Sequence, residues 1–191
     1  MAYNPEIHHR RSLRLRQYDY TQAGAYFVTI CCYQKNCLFG EIKGGIMYLN
    51  AMGEVVQKVW SNLPNNFPQI ELDDFVIMPN HLHGIICLID DSDLMTPHTN
   101  ITPINPMPNG TKKGSLGAII QNFKSISTRR VNNITRNSGT IWQRNYYEMI
   151  IRDDRAYENI KRYIKENPLK WEEDPENPTQ LPHNTNKPIT Q

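Results

Sequence analysis

IELDDFVIMPNHLHGIICLI, residues Ile70 to Ile89, is the stretch whose reading decides the fold. Its halves, IELDDFVIM and HLHGIICLI, are short apolar runs rich in β-branched residues, with Pro79 and Asn80 between them. Such runs read as strands. A join this short cannot hold a crossover, so the two strands pair antiparallel.

Working outward, NAMGEVVQKVWSNL precedes the hairpin with Val55, Val56, Val59, Trp60 and Leu63 at helical spacing, Asn50 as N-cap and Pro64 as the stop. Before it, AYFVTICCY (Ala25 to Tyr33) reads as a first strand and GGIMYLN as a short one after a Gly-Gly turn. After the hairpin, SLGAIIQNFKSISTRRVNNI carries Leu116, Ile119, Ile120, Phe123, Ile126 and Val131 on one helical face. IWQRNYYEMII (Ile141 to Ile151) is a last strand, and DDRAYENIKRYIKEN is a third helix closed by Pro168. Leaving the short strand aside, the order is β-α-β-β-α-β with a terminal helix. That order predicts an α+β, ferredoxin-like or RRM-like antiparallel sheet with two helices on one face. The other face is free for a ligand or for the third helix.

At 191 residues the chain suits one well-filled domain rather than two. Residues 1–22 read as a basic arm, 23–173 as the domain with a proline-rich loop at about 90–114, and 174–191 as a disordered tail. No apolar run reaches the roughly 20 residues that span a bilayer, and the N-terminus lacks a secretory h-region. A cytoplasmic location is therefore expected, with no membrane partner. Cys31, Cys32, Cys37 and Cys87 form no CxxC pair, which argues against a cysteine zinc site and for small apolar fillers.

The net charge is only +2, but its distribution is lopsided. Between Asp93 and Glu148 there is no carboxylate, while Lys112, Lys113, Lys124, Arg129, Arg130, Arg136 and Arg144 all fall there. Arg10, Arg11, Arg14 and Arg16 form a second basic cluster. A polyanion suits such tracts, since each neutralised phosphate releases counterions. A plain solvated basic face is the competing reading.

In a strand, His81 and His83 share one face, about 6.6 Å apart at the usual rise per residue. Two imidazoles so placed can converge on one divalent cation. On the third helix Tyr163 and Asn167 are four residues apart and share a face. Asn167 offers a neutral oxygen as a third ligand, and Tyr163 a phenol. Two nitrogens and one amide oxygen leave positions open for a phosphate oxygen, which suits magnesium or manganese as Lewis acid. A tyrosine there is a candidate nucleophile on phosphorus. The same residues also fit a blander reading, half-exposed strand histidines beside a core tyrosine with its hydroxyl at the rim. Tyr146 and Tyr147, near the sheet edge, suit packing or base stacking.

Taken together, the R-S-x-R-L arm with YDY, GAYFVTICC, LFGEI, MPNHLHGII, FKS, IWQRNYYEMIIRD and YIKENPLKW resemble the REP-associated tyrosine transposases. These are a branch of the single-tyrosine HUH (IS200-like) transposases. The likeness runs from about Arg10 to Trp171, and MPNHxHG with WQRNYYE and YIxxNP is its specific part. The resemblance implies that His81 and His83 bind a divalent metal, that Asn167 completes the site and that Tyr163 is the nucleophile. The implied activity is cleavage and rejoining of single-stranded hairpin DNA through a 5′-phosphotyrosine. DNA would be held by Lys112, Lys113, Lys124, Arg129 and Arg130, and by the arm at Arg10, Arg11, Arg14 and Arg16. The protomer state stays open between a homodimer exchanging tyrosine helices and a monomer. Two other classes compete: a non-catalytic single-stranded nucleic-acid-binding module of RRM-like fold, and a metal-dependent hydrolase using water.

Overall fold

The computed structural model describes residues 18–89 and 112–179. Its main sheet has four strands, β1 (Gly24–Cys31), β4 (Ile70–Ile77), β5 (His81–Leu88) and β6 (Tyr147–Ile151). They lie in the order β4-β5-β1-β6, with every neighbouring pair antiparallel. The hairpin read from Ile70 to Ile89 therefore forms as expected. Strands β2 (Gly40–Lys43) and β3 (Ile46–Leu49) make a separate two-stranded ribbon. The helices are α1 (Ala51–Ser61), a short α2 (Leu63–Asn66), α3 (Leu116–Thr135) and α4 (Asp154–Glu166).

The period-2 alternation of the strands separates two layers. Tyr26, Val28, Ile30, Leu82 and Ile86 face the large core, which α1 and α3 close with Val56, Val59, Trp60, Leu116, Ile119, Ile120 and Phe123. Asn50 caps α1 by accepting from the Met52 and Gly53 amides, and Ser115 caps α3 through the Ala118 amide. Trp60 lies fully buried over Gly84, where an added Cβ would stand 2.5 Å from its ring. The opposite sheet face carries α4, which docks Ile160 and Ile164 on Ile85 beside Phe27, Val76 and Cys87. The predicted third helix thus occupies the face that the two crossover helices leave open.

Strand β4 contains a bulge: Leu72 pairs with Ile86 but Phe75 with Gly84, so one extra residue sits between them. Asp73 and Asp74 are the residues in that irregularity, and both reach α4. Tyr157 and Lys161 donate to Asp73, while Lys161 and Lys165 pair with Asp74 at 3.7 and 3.2 Å.

Two expectations need correction. The strand predicted over Ile141–Ile151 forms only from Tyr147. Upstream, Trp142 makes an isolated bridge to Cys32, and the four residues from Gln143 to Tyr146 then leave the ladder. The Lys124 ammonium draws them away, donating to the carbonyls of Gln143 at 2.9 Å and Asn145 at 2.8 Å. The tail predicted from 174 does not begin there. Asp174 and Asn177 are buried, and Lys35 ties the segment down through the Pro175 carbonyl (2.8 Å) and the Glu176 carboxylate (3.4 Å). Among the described residues no helix is long and apolar enough to cross a membrane.

Candidate metal and nucleophile site

The site sits at the end of the sheet where β5 begins. Both histidines of HLH point to the α4 face, as their spacing requires, and both are buried. Their rings meet edge to face with centroids 4.5 Å apart.

Hydrogen bonds fix which nitrogen of each ring is free. The Asn80 amide nitrogen donates to the Lys35 carbonyl at 3.1 Å and to the Glu176 carbonyl at 2.6 Å. Its oxygen is thereby left to accept, and it takes the His81 Nδ1 hydrogen at 2.9 Å. His81 Nε2 consequently bears a lone pair, and it is buried without a partner. His83 Nδ1 lies 2.8 Å from Thr29 Oγ1, and its Nε2 faces the Tyr163 hydroxyl at 3.2 Å. Donation from His83 Nδ1 to Thr29 and from Tyr163 to His83 Nε2 satisfies both contacts and gives the same tautomer. Anchoring one ring nitrogen so that the other aims inward is the usual outer support of metal-binding histidines.

Burial sets the charge of both rings. Desolvation pulls His83 well below the ordinary imidazole value, reinforced by its neighbour His81. Burial also lowers His81, although Asp174 and Glu176 work against it. Both are neutral near pH 7, the form that ligates a cation.

Helix α4 ends where Pro168 removes the next amide donor, and the chain tightens into a 3-10 turn, Asn167–Glu173. That change places Asn167, 3% exposed, with its side chain beside His81 and Tyr163. Its Oδ1 has no hydrogen-bond partner. One helical turn earlier, Tyr163 is 43% exposed and packs edge-on against Phe27 and His83. Burial raises its phenol above the ordinary value, with Asp174 adding to the effect.

Asp174 is the residue that sequence reasoning missed. Its carboxylate lies 3.9 Å from His81 Nε2, and the ligand atoms of His81, His83 and Asp174 all fall within 4.8 Å of one another. Two ligands on opposite sides of a magnesium ion stand about 4.2 Å apart, so little contraction separates this group from a coordination shell. The partnerless lone pairs of His81 Nε2 and Asn167 Oδ1 fit the same purpose, since buried acceptors facing one another are costly unless a cation joins them. Asp174 lies in WEEDPENP, where acids and prolines together look like a solvated tail, and no local pattern sets it apart.

The basic residues are dispersed. Lys112 pairs with Asp19 at 2.7 Å, and Lys113 lines a cavity of about 850 Å³ with Gln22, Phe67 and Gln69 at the far end of the sheet. Lys124 holds backbone carbonyls, as above. Arg129 and Arg130 are exposed on α3, in the layer across the sheet from the histidines. Arg10, Arg11, Arg14 and Arg16 lie outside the described residues.

A protein of Haemophilus influenzae (strain Rd), itself uncharacterized, is 45% identical over 174 residues, spanning 90% of this chain and 95% of its own. The chain belongs to that protein's family. No family model matches the sequence. Among solved structures, a REP-associated tyrosine transposase bound to a REP hairpin superposes with a TM-score of 0.54 at 19% identity, covering 83% of this chain and 74% of the other. That likeness establishes a shared fold. A candidate transposase of Deinococcus radiodurans R1 gives 0.44 at 12% identity over 81% and 96% of the two chains, too distant to weigh.

Proposed function

We propose that the protein is a transposase of the REP-associated tyrosine type, which cuts and rejoins single-stranded hairpin DNA with Tyr163 as nucleophile. One observation carries the reading: the Tyr163 hydroxyl lies 3.2 Å from the inward nitrogen of His83, in a site that also gathers His81, Asn167 and Asp174. A pure binding module requires none of these groups. A hydrolase using water requires no phenol there.

A divalent cation such as magnesium or manganese, held by His81, His83, Asn167 and Asp174, would supply Lewis acidity toward the scissile phosphate. The rest belongs to the chain. Tyr163 Oη attacks phosphorus in line, the bond to the 3′-oxygen breaks, and a 5′-phosphotyrosine forms; the phenol gives up one proton and the departing 3′-hydroxyl takes one up. Attack by a 3′-hydroxyl reverses the step and joins strands. Phe27 and His83 hold the phenol ring by edge contacts, and Ile160 and Ile164 seat its helix on the sheet. Tyr163 and the histidines of one chain meet without help from a second copy. The fold neighbour's bound REP hairpin supports a hairpin as substrate.

The test is incubation with labelled hairpin single-stranded DNA and magnesium, followed by denaturing electrophoresis. A denaturant-resistant adduct, absent from Tyr163→Phe, is expected. Cleavage that persists in Tyr163→Phe would establish the hydrolase, and binding without cleavage the module.

A further inference from the structure

Beside the nucleophile lies a sheet surface that the described residues leave bare. Strand β6 is an edge strand, and its residues Tyr147, Met149 and Ile151 pair across from Thr29, Phe27 and Ala25 of β1. Directly opposed residues share a face, and Thr29 is the residue that holds His83. Tyr147 and Met149 therefore stand on the site face. They are 56% and 48% exposed, because the α4 cluster of Ile160 and Ile164 reaches Ile151 at the end of β6 and does not include Tyr147 or Met149. Tyr146 and Ile150, on the alternate face, pack against the large core instead.

This surface is continuous with the site. Phe27 stacks on His83 at 5.4 Å and meets Tyr163 edge-on at 6.0 Å, while its cross-strand neighbour is Met149. Two strand spacings separate β6 from β5, so Tyr147 stands about 10 Å along the sheet from the histidine strand. That places a bare ring at a nucleotide's reach from the phosphate position. No carboxylate of β6 shares the face, since Glu148 pairs with Val28 on the other side. Exposed arginines, Arg144 and Arg152, flank the strand, and Arg162 adjoins Tyr163. An exposed aromatic with a neighbouring thioether, framed by cations and open to solvent, suits an unpaired nucleobase on a polyanionic strand.

We propose that Tyr147 and Met149 form a stacking subsite for a nucleobase flanking the scissile phosphate. This rests on the reading of the site as one that acts on single-stranded DNA. The subsite holds the strand by ring contact rather than by hydrogen bonds, so it tolerates any base.

The probe is a single-stranded 15-mer of thymidines with 5-bromodeoxyuridine in place of some of them, mixed with the full-length protein and irradiated. Mass spectrometry is expected to find the cross-link on the peptide holding Tyr147 and Met149, suppressed by unlabelled single strand. In fluorescence anisotropy, Tyr147→Ala is expected to weaken binding of the same oligonucleotide about 5- to 150-fold, the range for losing one stacked base. Tyr147→Phe, which keeps the ring, restores affinity to within about twofold. If the wild type forms the Tyr163 adduct yet Tyr147→Ala binds unchanged and cross-links map elsewhere, the subsite is overturned while the transposase reading stands. Failure of the wild type to bind this single strand overturns the subsite, and absence of the hairpin adduct overturns the transposase reading. A shift in oligomeric state for Tyr147→Ala, with binding unchanged, assigns the face to a second copy and also overturns the subsite.

Discussion

Gly84→Ala tests how the core layer positions the histidines. The new Cβ would stand 2.5 Å from Trp60 Cζ2, 3.2 Å from Trp60 Cε2 and 3.1 Å from Phe75 Cβ. Carbon atoms prefer about 3.5–4.0 Å, so roughly 1 Å of displacement is required. Trp60 is fully buried and braced edge-on by Phe123 at 5.3 Å, and has little room to give. Such overpacking costs about 1–3 kcal/mol. Restricting the unfolded chain returns about 0.4–1 kcal/mol, leaving a net loss of about 1–2 kcal/mol. For a chain of this length that lowers Tm by about 2–8 °C. The assay is urea denaturation of Gly84→Ala, Trp60→Phe and the double variant, read as a cycle. Phenylalanine lacks the indole atoms nearest the new methyl, so the glycine substitution should cost less in that background. Equal costs in both backgrounds, or a Gly84→Ala protein within about 0.5 kcal/mol of wild type, would refute the reasoning.

Further outcomes follow from the site and its supports. Both buried histidines sit below their ordinary pKa, so the unfolded chain binds more protons than the fold as pH falls through about 6.5; stability is full above that value and drops below it. Thermal melts between about pH 7.5 and 5.5 should show Tm falling with acidity, and a flat profile would contradict the assigned neutral rings. Manganese should raise Tm of the wild type by mass action, and Asp174→Ala or Asn167→Ala should shrink that rise; an undiminished rise in both would remove them from the metal site. Tyr157→Phe deprives the Asp73 carboxylate of a donor, an expected loss of about 1 kcal/mol since Lys161 remains. Hydrogen exchange should then quicken in α4 more than in α3, and uniform exchange would show that this contact does not pin the helix.

How much was legible depended on range along the chain. The succession of strands and helices along the chain and the shared face of His81 and His83 follow from local periodicity, and so does the four-residue spacing that sets Asn167 beside Tyr163 at the end of α4. Even the bulge in β4 left a trace, because the core-facing positions slip from Ile70 and Leu72 to Phe75 and Ile77 across the two aspartates. What could not be read locally was what distant groups impose. Lys124 breaks a strand predicted to run from Ile141 by taking its carbonyls from a helix some twenty residues earlier. Asp174 comes within reach of the two histidines because Lys35 and Asn80 fasten the segment that carries it. Lys124 shows the same limit, since its charge is visible in the sequence and its carbonyl partners are not.

The Asn80 amide, held between the carbonyls of Lys35 and Glu176, has a bearing on synthesis. Chains emerge N-terminus first and domains fold as they emerge. The sheet strand carrying both histidines is complete long before Glu176 leaves the ribosome. Until it does, the Lys35 carbonyl alone holds the Asn80 amide, and the shorter of its two anchors is missing. Asp174 arrives just two residues earlier. A chain cut short by a premature stop therefore keeps strands, histidines and tyrosine while lacking the final clamp. Such a fragment would carry the histidine motif without Asp174, so that the buried donor set is completed by a segment far downstream rather than by the motif alone.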